Sequence, residues 1–202
     1  MRIDSCEDFY KLDIPHLRGL KMKVSPAEKM ILMMLCDVYE KLGIEGEIDH
    51  DFVRSALNSD QLWAFEWNYN FLNDINLPHE NPAVVKEVVD ILDMWSFLES
   101  AFKQLGEDEK QRVITEGGVF GDTIEFAGFD ANNEDHYSVA VFMIKDLRRF
   151  QHFGGRELNS HSESVQGYKR MLEVFLPMRP GIHMGKMTAD QVIAVMKARR
   201  FA

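Results

Sequence analysis

The sequence predicts an all-α protein, a compact multihelical domain of about six to eight helices around one long central helix over about 82–105. Three observations carry that expectation. Val84, Val88, Ile91, Trp95, Leu98, Phe102 and Leu105 keep an unbroken four-three apolar rhythm, long enough to cross a small domain at roughly 1.5 Å per residue. Two sites, Ser25-Pro26-Ala27-Glu28 and Thr188-Ala-Asp-Gln191, carry the capping-box pattern that opens helices. The one alternating stretch, Trp63–Phe71, has no neighbouring strand signal to pair with, so it reads as helix opening near Asn68.

Taken in order, residues 1–23 show no sustained period; Pro15 and Gly19 interrupt them, and they read as an N-terminal arm. The domain is expected over 24–202. Pro26 suits a first helical position, Ile31, Leu35, Val38 and Leu42 form one apolar face, and Gly43 ends that helix. A shorter helix is expected from Asp49 to Asn58 with Phe52, Val53, Ala56 and Leu57 inward. Asn81-Pro82 opens the central helix and Gly106 closes it; Asp90 and Asp93 are expected on its solvated side. Residues 106–131 read as turns, with only Thr123–Phe126 extended, and Leu77-Pro78 as a break. Helix resumes near Asn133, with Arg148 and Arg149 expected in its last turn, where cations suit the helix dipole. A helix from Glu163 to Leu176, stopped by Pro177, and one opening at Thr188 complete the chain.

Composition sets bounds on function. Apolar residues make up 46% of the 202 and 22 are aromatic, enough for a core without disulfide or metal staples. Cys6 and Cys36 form neither a disulfide framework nor a zinc spacing. No run of 18 apolar residues is present, and the charged N-terminus lacks a signal-peptide core, so a soluble, cytoplasmic protein is expected. Residues 1–120 hold 23 Asp and Glu against 12 Lys and Arg, while 121–202 hold 10 against 11. A net charge of −10 repels phosphate backbones and anionic bilayers, so neither nucleic acid nor membrane is the expected partner.

Chemical motifs are few. Gly181-Ile-His-Met-Gly185-Lys186-Met-Thr188 has three residues between its glycines and places Thr late for a phosphate loop. Gly117-Gly118-Val-Phe-Gly121 fails the dinucleotide fingerprint. His136, His152, His161 and His183 show no helical ligand spacing, so no metal or cofactor is expected. There is no G-x-S-x-G elbow. One cluster concentrates donors around a polar loop: Arg148, Arg149, His152, Asn159, His161, Tyr168 and Arg170, with Arg156, Ser160 and Lys169 nearby. It reads as a candidate pocket for an anion or acidic ligand. The alternative is plain capping, Arg148 and Arg149 at one helix end and Asn159 and Ser162 at the next start. Twelve methionines supply adaptable core or interface filler. Apolar residues on both sides of helix 82–105, with Val139, Phe142 and Met143, exceed one face and predict an oligomer surface there.

Several segments in order resemble the bacterial YfbU-like family. They are Lys29-Met-Ile-Leu-Met-Met-Leu-Cys36-Asp-Val-Tyr39, Gly46-Glu-Ile-Asp49-His-Asp-Phe52 and Val88-Val-Asp-Ile-Leu-Asp-Met-Trp95-Ser-Phe97. Gly128-Phe-Asp130 with Glu134 and Tyr137, Asn159-Ser-His161 and Tyr168-Lys-Arg-Met-Leu172 continue the match. The resemblance implies a multihelical intracellular bacterial domain that self-associates, with an involvement in stress or stress-induced cell death suggested for the family. It brings no reaction, cofactor or catalytic residue. It marks Gly128-Phe-Asp130 and Asn159-Ser-His161 as signature segments, the first read as a turn with Phe129 buried and Asp130 capping.

Three functional readings follow. The first is a non-enzymatic homo-oligomer that binds a protein or a small anionic ligand. The second is a hydrolase or transferase with His161 or His152 as general base and Arg148 and Arg170 holding an anionic substrate. The third is a nucleic-acid-associated regulator using Lys197-Ala-Arg-Arg200, which the overall charge opposes.

Overall fold

The computed structural model describes residues 23–69, 72, 81–118, 122–182 and 186–200. Apart from Lys23, the expected arm over 1–23 lies outside these, as do Leu77-Pro78, His183 and parts of the two rejected glycine motifs. Eight α-helices and no strand occur among the described residues: α1 Pro26–Leu42, α2 His50–Asn58, α3 Ala64–Asn68, α4 Ala83–Gln104, α5 Glu107–Gly117, α6 His136–Lys145, α7 Val165–Met178 and α8 Ala189–Lys197. They fall into two compact units, one of the residues up to Ala83 with Val141–Gln151, the other of Val84–Ala140 with the residues from His152 on.

In the first unit, Ser25 Oγ accepts the Glu28 N–H at 3.2 Å while Glu28 accepts the Ser25 N–H at 2.8 Å, the reciprocal box that the sequence predicts. Gly43, at φ 61°, turns the chain out of α1, and the Ile44 N–H returns to the Tyr39 carbonyl. Asp49 caps α2 through the N–H groups of Asp51 and Phe52. Phe52 is the hub: its ring meets Phe65, Tyr69 and Phe142 at centroid distances of 6.1, 5.8 and 5.9 Å. Among the described residues of the ambiguous aromatic stretch, Ala64–Asn68 are helical; Tyr69 is already extended, and its hydroxyl accepts the Asp49 N–H. Arg54 ties α2 to α1 through Asp37 and Glu40 at 2.7 and 2.9 Å.

The second unit is built on α4, whose bounds match the expected central helix. Trp95, Phe126, Phe129, Phe153 and Tyr168 pack around it, with ring centroids 5.2–6.0 Å apart. α5 packs on α8, and α7 on α8. Glu99 and Asp93 are buried here against arginines. Glu99, 3% exposed, takes both Arg156 nitrogens at 2.8 and 2.9 Å and the Phe126 N–H at 2.8 Å. Asp93, 2% exposed, meets Arg179 at 2.8 Å.

Several expectations are corrected. Asp90 and Asp93 are not on a solvated face. Both are buried: Asp93 pairs with an arginine 86 residues away and Asp90 with Lys86. Residues 107–117 are helix rather than turn, because Gly106 and Gly118 sit at its two ends instead of breaking it, and Glu107, Asp108 and Glu109 complement its N-terminal dipole. No strand forms at Thr123–Phe126. α6 ends at Lys145, so Arg148 and Arg149 lie beyond it; Arg148 and Phe150 have φ of 53° and 49°. α7 runs one residue past Pro177, and it starts from Ser164 rather than from Asn159 or Ser162. Val139, Phe142 and Met143 are buried, as are Val85, Val88, Ile91, Leu92, Trp95, Leu98 and Phe102 of α4, while Val84 and Val89 are half-buried.

Candidate functional site

The two signature segments meet in the second unit. Phe129 and Asn159 form a parallel bridge, with Phe129 N–H to Leu158 O at 2.9 Å and Ser160 N–H to Phe129 O at 3.0 Å. Gly128 makes the approach possible. Its φ is +88°, and a Cβ there would lie 1.9 Å from the Leu158 carbonyl oxygen. Its own carbonyl accepts the Tyr168 hydroxyl at 3.1 Å, and the Ser164 hydroxyl lies at the same distance. Burial pushes the Tyr168 hydroxyl up to about 12, so it is a neutral donor at ordinary pH.

Glu134 closes this clasp. Its carboxylate accepts the N–H groups of Asp130, Ser164 and Val165, each at 2.7 Å, and contacts the Ser164 hydroxyl at 2.9 Å. Burial alone would raise its pKa, but the bonds from Val165, Asp130 and Ser164 outweigh it and hold the carboxyl below its ordinary value. The charge sits at the N-terminus of α7, where the helix dipole favours it. Asp130 accepts from the Asn132 N–H and the Asn133 side chain, which lower its pKa, and so caps a turn ahead of α6 with Phe129 fully buried.

The seven residues of the predicted donor cluster divide between the units. Arg148 and Arg149 belong to the first, and His152, Asn159, His161, Tyr168 and Arg170 to the second. Asn159 and His161 come together: the Asn159 side-chain oxygen accepts the N–H groups of His161 and Ala131 at 3.0 and 3.1 Å. The exposed His161 ring meets Glu157 at 2.9 Å, and its backbone has φ 54°. Arg170 donates to the Ala198 and Arg199 carbonyls at the end of α8, a cation on a helix C-terminus. His152 Nε2 lies 2.8 Å from Ser96 Oγ, whose own hydrogen goes to the Leu92 carbonyl. The imidazole nitrogen is therefore the donor, the reverse of what an activated serine needs. Burial lowers the His152 pKa and keeps the ring neutral.

The first unit offers a different kind of surface. Met30, Ile31, Met34, Leu35, Val38 and Leu42 are exposed, from 46% at Val38 to 70% at Leu42. Beside this row a cavity of about 340 Å³ opens, floored by Leu32, Cys36, Val53 and Phe65, with the exposed Leu35 and Ile48 also lining it. Burial raises the Cys36 thiol, so it stays protonated and apolar. Ile31, Leu35, Val38 and Leu42, the apolar face that the sequence predicts, are exposed, and the covered side is Leu32, Met33, Cys36 and Tyr39. The missed signal is that α1 is apolar on two opposite sides.

Among the described residues no three His, Cys, Asp or Glu are grouped to hold a metal, and no helix is long and apolar enough to cross a membrane. Fold and surface together define an all-α protein whose polar signature residues hold its own loops together and whose exposed feature is an apolar helix face. The chain belongs to the YfbU family: the YfbU domain model matches residues 22–196, most of its length. No curated protein matches the chain.

Proposed function

We propose that this is a non-enzymatic, cytoplasmic protein that self-associates and acts by binding another macromolecule or a small anionic ligand. The observation that carries the reading is the exposed apolar row of α1, a contiguous surface of the kind soluble monomers rarely leave open. The engagement of Glu134, Asn159, Tyr168 and Arg170 in internal bonds supports it, because these groups stabilise loops and helix ends. A single domain over 24–202 is part of the proposal, since one family model runs through both units. The stress or cell-death role implied by the resemblance is the cellular setting in which such an assembly would be read out.

Native mass spectrometry of the untagged full chain at micromolar concentration tests the proposal. A multimer without added mass is expected. A strict monomer overturns the self-association. A co-purifying mass of a few hundred daltons would select the small ligand over the macromolecule as the binding partner.

A further inference from the structure

We infer that a second copy of this chain covers the outer face of α1, helix against helix about a two-fold axis. The inference rests on the self-association proposed above and assigns it to one surface.

Four features of the first unit point to it. A helix side made of large apolar residues is normally buried; α1 is covered along Leu32, Cys36 and Tyr39 and open along Met30, Ile31, Met34 and Leu35. Ile31, Leu35, Val38 and Leu42 recur at four-three-four spacing, the repeat of a helix that seats another helix along a seam. No Lys, Arg, Asp or Glu interrupts that row; Asp37 and Glu40 lie off it and pair with Arg54.

Area is the third argument. With Ile44 and Ile48, eight side chains between 39% and 70% exposed present several hundred Å² per copy. Two copies face to face reach the roughly 1,200 Å² at which specific interfaces begin. The fourth is self-complementarity. One surface carries both a row of protruding side chains and the cavity beside it, bordered by Leu35 and Ile48, so each copy supplies a knob and a hole, as a two-fold interface requires.

Residues 1–22 match the face less well. They carry charges at Arg2, Asp4, Glu7, Asp8, Lys11, Asp13, Arg18 and Lys21. A net charge of −10 opposes an anionic bilayer.

The test uses the full untagged chain. Sedimentation equilibrium of the Met34→Lys/Val38→Lys double variant should show dissociation to monomer, association weakened by about a hundredfold or more, with the helical circular dichroism of the wild type. Thr115→Lys, on the exposed side of α5, should leave the mass unchanged. A photo-reactive benzophenone side chain in place of Met34, which keeps the position apolar, should give a band of twice the chain mass with α1 linked to α1. A cross-link confined to one chain, to residues 1–22 or elsewhere, overturns the inference. So does an association that survives the double variant, and in both cases self-association through another surface would still stand. A wild-type monomer would remove both.

Discussion

Around Gly128 in the second unit, each polar group meets a partner a few ångströms away: Gly128 O takes Tyr168, Glu134 takes three backbone N–H groups, and Asn159 takes two. Along α1 in the first unit, six large apolar side chains meet solvent. The difference runs against a first reading of the letters. A knot of Gly, Asp, Asn, Ser and His suggests chemistry, and a helix of Met, Ile and Leu suggests core. Here the polar knot holds loops together, and the apolar helix is the surface left to contact something else. Burial of a polar group is tolerable only when it is fully bonded, so dense polar pairing can mark structure as readily as a site.

Substitutions should separate the two regions, and the largest effect belongs to the clasp. Gly128→Val would put a branched side chain at φ +88°, its Cβ 1.9 Å from the Leu158 oxygen; a loss of about 4 kcal/mol or more is expected, read as a collapse of the urea midpoint. Arg156→Ala would leave Glu99 buried without its cation, at a cost of about 3 to 5 kcal/mol; thermal melting should show it, and Arg156→Lys should recover only part, since one ammonium cannot match both carboxylate oxygens.

Glu134→Gln comes third. Replacing an acceptor-only carboxylate by an amide turns a donor toward the N–H groups of Asp130, Ser164 or Val165, for about 2 kcal/mol at neutral pH. The dependence on pH has a definite sign. The folded carboxyl titrates below its ordinary value of 4.5, so its contribution is complete above pH 4.5 and is lost as pH falls through the lower folded value. Wild type and variant should therefore converge in stability in acid; a gap that persists there would mean the charge is not what the clasp uses. The smallest effect belongs to α1. Met34→Gln, at a position 62% exposed, should change the folding free energy of dilute protein by no more than about 0.5 kcal/mol. A loss comparable to that of Glu134→Gln would mean that the row is core after all.

Much of the fold was legible because its signals are local. The capping boxes at Ser25 and Thr188, the αL glycine at Gly43 and the rhythm of α4 lie within a few residues of the structure they set. What escaped depends on distance along the chain. Nothing near Asp93 announces Arg179, and nothing near Gly128 announces Leu158 or Tyr168. Periodicity located one apolar row of α1 but is silent on whether a neighbour covers it. α5 was missed because only Val113 and Gly117 of it are buried, so it has hardly any apolar stripe to see. The signature segments came from the resemblance, and only the bridge between Phe129 and Asn159 gives them a shared purpose.

The three tryptophans are divided between the units in a way that makes the molecule its own optical instrument. Trp63 and Trp67 stack edge to face at 5.0 Å in the first, while Trp95 lies against Tyr168 at 5.6 Å in the second. Excitation at a tyrosine wavelength, followed through Trp95 in a Trp63→Phe/Trp67→Phe background, would report the unfolding of the second unit by itself. The reciprocal Trp95→Phe chain would report the first, so that a cooperative single transition and two separate ones could be told apart by colour alone.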